Sequence, residues 1–136
     1  MSKKENRKVL IIEDDETIGE MYFERVTMEG YATTLIKNGK DGEEAIWNEK
    51  PHLVVLDLML PGKNGVDILE TVRGWPSAEK LPIIILTAFP MMGNIEKVNN
   101  FNIAGFFSKA EVTPKKIIDE INKILFPMEF AQQYDQ

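Results

Sequence analysis

The chain has 136 residues, 43% of them hydrophobic and 28% charged, which is enough to bury one core and too apolar for a disordered segment. With no cysteine and a single histidine, His52, it offers no disulfide framework, no thiolate metal site and no multi-histidine zinc site. A net charge of −6 argues against a non-specific grip on nucleic acid or an anionic membrane, and no apolar run is long enough to span a bilayer or serve as a secretory core, so the expected location is cytoplasmic.

Short apolar runs alternate with longer amphipathic stretches along the chain. The runs are Val9-Ile12, Ala32-Ile36, Leu53-Leu56, Pro82-Leu86 and Gly105-Phe107. They are nearly continuous and rich in β-branched or aromatic residues, as strands buried on both faces should be. The first helical pattern, Thr17-Glu29, spaces Ile18, Met21, Tyr22 and Val26 by three and four and stops at Gly30. The second, Lys40-Glu49, places Ala45, Ile46 and Trp47 before Pro51. The third, Gly65-Trp75, stripes Val66, Leu69 and Val72. The fourth, Asn94-Phe101, has few good helix formers. The fifth starts from a Thr113-Pro114 cap and stripes Ile117, Ile118, Ile121, Ile124 and Leu125. Five strands alternating with five helices predict a doubly wound α/β domain with a parallel sheet covered on both sides. The domain is expected over 9–125, with an N-terminal tail at 1–8 and a C-terminal tail at 126–136 too short for an effector module.

Ligands in such a fold bind outside the carboxyl ends of the strands. The first strand runs into Glu13-Asp14-Asp15-Glu16, the third into Asp57, the fourth into Thr87-Ala88 and the fifth into Ser108-Lys109. Taken singly, the acids read as solvated cap residues and the threonine as a good strand former. Together, four strands deliver carboxylates, a hydroxyl and an ammonium to one edge.

These segments resemble response-regulator receiver domains. The likeness is carried by Val9-Leu10-Ile11-Ile12-Glu13-Asp14-Asp15, by Leu56-Asp57-Leu58-Met59-Leu60-Pro61-Gly62 with Gly65 after it, by Thr87-Ala88, and by Lys109. It implies a flavodoxin-like sheet of order 2-1-3-4-5 and a phosphoacceptor at Asp57. It further implies a Mg²⁺ (or Mn²⁺) ion held by Asp14 and Asp57 directly, by Glu13 through water and by the Met59 carbonyl. Lys109 would neutralise charge on the transferring oxygens, and Thr87 would hydrogen-bond a phosphoryl oxygen. Small Ala88 would leave the pocket open. Phe106 matches the aromatic switch position, although it reads equally as a core phenylalanine.

Two departures stand out. Where the family has a cis-bonded proline after the lysine, this chain has Ala110; a cis bond there would cost about 3–4 kcal/mol against under about 1 for proline, which predicts a trans bond and a reshaped loop. By the resemblance, Met59 and Phe89 occupy family positions that influence water access to the acyl phosphate. Both are bulky and apolar, which predicts slow self-hydrolysis. Met91 and Met92 are expected to fold back on the core rather than meet a partner.

Two motif matches fail on inspection. Asp14 to Arg25 lacks the closing acid of a calcium loop, and Pro61-Gly62-Lys63-Asn64-Gly65 lacks the spacing of a phosphate-binding P-loop. His52 reads as a turn residue. The resemblance implies a phosphorelay module that takes phosphoryl from a sensor histidine kinase or phosphotransfer protein and acts on a downstream protein. Ile18 and Met21 are docking candidates whose spacing equally fits the core. The resemblance implies no enzyme activity beyond metal-dependent self-phosphorylation and slow self-dephosphorylation. A haloacid-dehalogenase-type phosphatase would want an aspartate where Met59 stands. The remaining alternative is a non-phosphorylated receiver-like interaction module.

Overall fold

The structure is a computed structural model that describes residues 3–88 and 92–134, side chains of 92–94, 133 and 134 excepted. Five parallel strands, β1 (Lys8–Ile12), β2 (Ala32–Ile36), β3 (Leu53–Leu56), β4 (Ile83–Thr87) and β5 (Gly105–Ser108), form one sheet of order β2-β1-β3-β4-β5. The order and the doubly wound class are those expected. Helices α1 (Glu16–Met28), α2 (Gly39–Glu49), α3 (Gly65–Arg73), α4 (Met92–Asn99) and α5 (Pro114–Leu125) connect or follow the strands. Short 3-10 turns occupy Lys4–Asn6 and Pro76–Ala78.

Each well-defined helix start is written locally. Asp15, Asn38, Asn64 and Thr113 accept from the backbone N–H three residues on, satisfying donors the helix itself leaves open. Two cores flank the sheet. Leu10, Ile12, Leu56, Ile68, Leu69, Val72 and Ile85 pack on the side of α2 and α3. Val9, Ile11, Tyr22, Val26, Leu53, Ile84, Ile117 and Ile121 pack on the side of α1 and α5. Alternate residues of one strand feed opposite cores, as a period of two requires.

Several expectations need correction. Only β1, β3 and β4 are buried on both faces; β2 and β5 are the sheet edges and are largely half-buried. Trp47 of α2, for which the pattern set no burial, lies 56% exposed, its ring edge-on to Trp75 with centroids 5.0 Å apart. The fourth helix spans Met92–Asn99 instead of 94–101. A sixth helix, α6 (Pro127–Tyr134), follows α5, so the helices number six among the described residues rather than five. No described helix is long and apolar enough to cross a membrane.

Candidate functional site

The ladder register carries the site residues together. Ile12 pairs with Leu56, Leu56 with Ile85 and Thr87 with Ser108. Hydrogen bonds then continue past the strand ends: Asp57 N–H donates to the Ile12 carbonyl at 3.0 Å, and Lys109 N–H to the Thr87 carbonyl at 2.8 Å. The tips of β1, β3, β4 and β5 are thereby held side by side. Carboxylate oxygens of Glu13, Asp14 and Asp57 lie within 4.8 Å of one another. Glu13 and Asp57 are buried, each 3% exposed, while Asp14 faces solvent.

Lys109 reaches over this cluster. Its ammonium lies 3.0 Å from Asp57 Oδ2, to which it donates, and 2.6 Å from Glu13 Oε1. The second contact is a charge pairing without hydrogen-bond geometry, so Glu13 Oε1 is a buried acceptor with no donor. The described residues include no cis peptide, so the Lys109–Ala110 bond is trans as expected, and the lysine nonetheless spans the distance. Ala110 N–H donates instead to Ser108 Oγ at 3.3 Å. Asp57 Oδ1 accepts from the Met59 amide at 3.2 Å.

The electrostatics follow from burial. Glu13 has its pKa pushed up to about 7 by desolvation and, to a smaller degree, by the Asp57 charge; Lys109 and the Asp15 amide, which donates to Glu13 Oε2 at 3.1 Å, pull the other way. Burial lowers the Lys109 pKa, but its contacts with Glu13 and Asp57 outweigh that and leave it raised. Three carboxylates against one ammonium leave an excess of negative charge around an acceptor lacking a donor. That all-oxygen set fits a hard divalent cation such as Mg²⁺ better than a soft one.

The other predicted residues fall in two groups. Thr87 is fully buried at the end of β4, and Ala88 beside it is exposed. Met59, 55% exposed, stands at the rim. Phe106 is half-buried against the core on the α2–α3 side, and Ile18 and Met21 are half-buried against the α1–α5 core. Phe89 and Met91 lie outside the described residues, as does the side chain of Met92.

The acidic run after β1 divides its labour in a way its composition does not reveal. Asp15 caps α1, its carboxylate accepting from Ile18 N–H at 2.9 Å, and Glu16 pairs with Lys37 at 3.0 Å. Sequence reasoning also passed over the packing of the β3–α3 loop. A Cβ on Gly65 would stand 2.5 Å from the Asp57 carbonyl, and one on Gly39 would collide with the Lys63 carbonyl, so glycine at both lets the β3–α3 loop pack closely on its neighbours.

A family model for the response regulator receiver domain matches residues 9–122. DivK, a polar-differentiation response regulator of Brucella anthropi, is 25% identical over 111 residues, which cover 82% of this chain and 90% of the relative. The CheY-like receiver domain protein of Methanospirillum hungatei JF-1 superposes with a TM-score of 0.80 at 22% identity, covering 93% of this chain and 95% of that one. The non-phosphorylated HemR receiver domain of Leptospira biflexa gives 0.79 at 28% identity, covering 88% and 94%. The sheet order and the sequence match agree over most of the molecule, and the chain belongs to the response regulator receiver domain family of two-component signalling.

Proposed function

We propose that this receiver takes a phosphoryl group on Asp57 from the phosphohistidine of a sensor histidine kinase or phosphotransfer protein and so switches a protein-interaction face. The observation that carries the reading is the buried Asp57 carboxylate, 3.0 Å from Lys109 and grouped with two further carboxylates at the open edge of the sheet. One Asp57 oxygen attacks phosphorus while the P–N bond to the donor imidazole breaks, and the leaving nitrogen keeps the bonding pair. The catalytic work is positioning and charge neutralisation. Lys109 supplies a fixed positive charge beside the attacked group, and the Met59 amide orients Asp57. Mg²⁺ (or Mn²⁺) would be held by Asp14, Asp57, the Met59 carbonyl and, through water, Glu13, and when bound it supplies charge neutralisation to the phosphoryl oxygens.

After transfer, the Thr87 hydroxyl donates to a phosphoryl oxygen. Its shift makes room for Phe106 to turn inward, by packing alone since it carries no hydroxyl, and the α4–β5–α5 face is remodelled for a downstream protein. Ala88 keeps the entry open, while Met59 screens the acyl phosphate from water. The reading places the protein in the cytoplasm, with neither nucleic acid nor membrane as a direct partner.

Incubation with acetyl phosphate, with Mg²⁺ or with EDTA, followed by intact-mass measurement tests this directly. Wild type is expected to gain one phosphoryl adduct only with the metal, and Asp57→Ala none. No adduct on wild type in Mg²⁺ would favour the inert interaction module and overturn the proposal.

A further inference from the structure

The loop that leaves Asp57 has little apolar anchorage of its own. Leu58 is buried and Leu60 partly so, but Met59, Pro61, Gly62 and Asn64 are exposed. It is held instead by polar tethers: Gly65 N–H donates to the Leu58 carbonyl and Gly39 N–H to the Pro61 carbonyl, each at 2.9 Å. Lys63 adds a third. Its half-buried ammonium pairs with Glu43 of α2 and donates to Thr71 Oγ1 of α3 at 2.9 Å, so one side chain spans both helices that flank the loop. The Lys63 backbone in turn packs on Gly39, leaving no room for a Cβ there.

We infer that Lys63 is a positioning residue for the phosphoacceptor site, acting through the loop that presents the Met59 amide to Asp57 and that carries the Met59 carbonyl of the proposed metal site. The inference rests on the proposed phosphoacceptor role and deepens it. An ammonium held by a carboxylate and a hydroxyl on two different helices fixes the loop in two directions, which an apolar side chain at the same place would not do. Residues that orient metal ligands without touching the ion commonly change affinity about 10–100-fold, and a tether four residues from the ligand belongs at or below the low end, about 3- to 10-fold.

The test uses the isotope-labelled full chain as wild type, Lys63→Met, Lys63→Arg and Glu43→Gln. Amide hydrogen exchange and a Mg²⁺ titration followed by backbone NMR shifts are recorded for each. In Lys63→Met and Glu43→Gln, the amides of Met59 and Gly65 are expected to exchange about tenfold faster relative to those of β1 and β3. The Mg²⁺ concentration for half-saturation should rise about 3- to 10-fold, and Lys63→Arg should return both toward wild type. Unchanged loop exchange overturns the inference, and so does faster exchange with half-saturation within about twofold of wild type. If wild type itself binds no Mg²⁺, the phosphoacceptor reading fails, and loop exchange separately decides whether Lys63 holds the loop.

Discussion

Replacing Asp57 with asparagine should stabilise the metal-free protein, because burying one carboxylate beside another costs the fold more than the Lys109 contact returns. At an effective dielectric of about 20, the 3.0 Å contact with Lys109 favours the Asp57 charge by about 5 kcal/mol. The Glu13 carboxylate, within 4.8 Å and equally buried, opposes it by about 3 kcal/mol or more. Asp14 is exposed, and at the dielectric of water adds about 1 kcal/mol of repulsion. Attraction and repulsion nearly cancel, so the desolvation of a carboxylate only 3% exposed, several kcal/mol, decides the sign. A neutral amide escapes most of that cost and can still accept a weaker hydrogen bond from Lys109. The net expectation is a gain of about 1–2 kcal/mol. Urea unfolding at pH 8 in EDTA measures it. Added Mg²⁺ should close the gap, since an ion at ten times its dissociation constant stabilises the wild type by about 1.4 kcal/mol and the variant by less. The gain should also shrink toward pH 5. The raised Glu13 pKa means that its stabilising contribution is complete below its ordinary carboxylate value of 4.5 and is lost as pH rises through about 7; at pH 5 Asp57 therefore faces a neutral neighbour. A variant less stable than wild type by about 1 kcal/mol or more, at pH 8 without metal, would refute this reasoning.

Three further outcomes are expected. His52 Nδ1 accepts from the Lys8 amide at 2.9 Å, and burial together with the Arg7 and Lys8 charges lowers its pKa. As the chain's one histidine it gives a single NMR titration, whose midpoint should fall below 6.5; the stability it contributes is complete above 6.5 and lost as pH falls through that midpoint, and a midpoint above 6.5 would contradict the contact. Asn122, buried near the end of α5, accepts from Tyr31 Oη at 2.5 Å and donates to Glu29 at 3.1 Å; Lys4 still holds Glu29 at 2.8 Å, so Asn122→Leu strands the buried Tyr31 hydroxyl and should cost about 1–3 kcal/mol in urea unfolding, against about 1 for Tyr31→Phe. Met59→Asn should shorten the lifetime of the phosphorylated protein by admitting water at the rim, read as the decay of the adduct in intact-mass spectra; a fast decay unchanged by the substitution would remove the screening role.

Much of the architecture could be read from periodicity, because buried parallel strands produce apolar runs and right-handed crossovers restrict how they join. Val9-Ile12, Leu53-Leu56 and the Thr113-Pro114 cap lie where the pattern put them. Which strands form the edges depends on spatial order, which no local pattern encodes, and so the half-exposure of β2 and β5 was misread. At the site, Glu13, Asp14, Asp57 and Lys109 were legible because strand ends converge by topology. The Lys63 tether was not, since its partners stand 20 residues before and 8 residues after it and only packing brings them together.

The most direct measurement of the central claim traps the acyl phosphate with borohydride, which reduces a phosphorylated aspartate to homoserine, and then maps the peptides. After incubation with acetyl phosphate and Mg²⁺, homoserine is predicted at position 57 alone, and at no position when EDTA replaces the metal. Homoserine at position 14 instead, or a phosphoryl group on His52, would contradict the account.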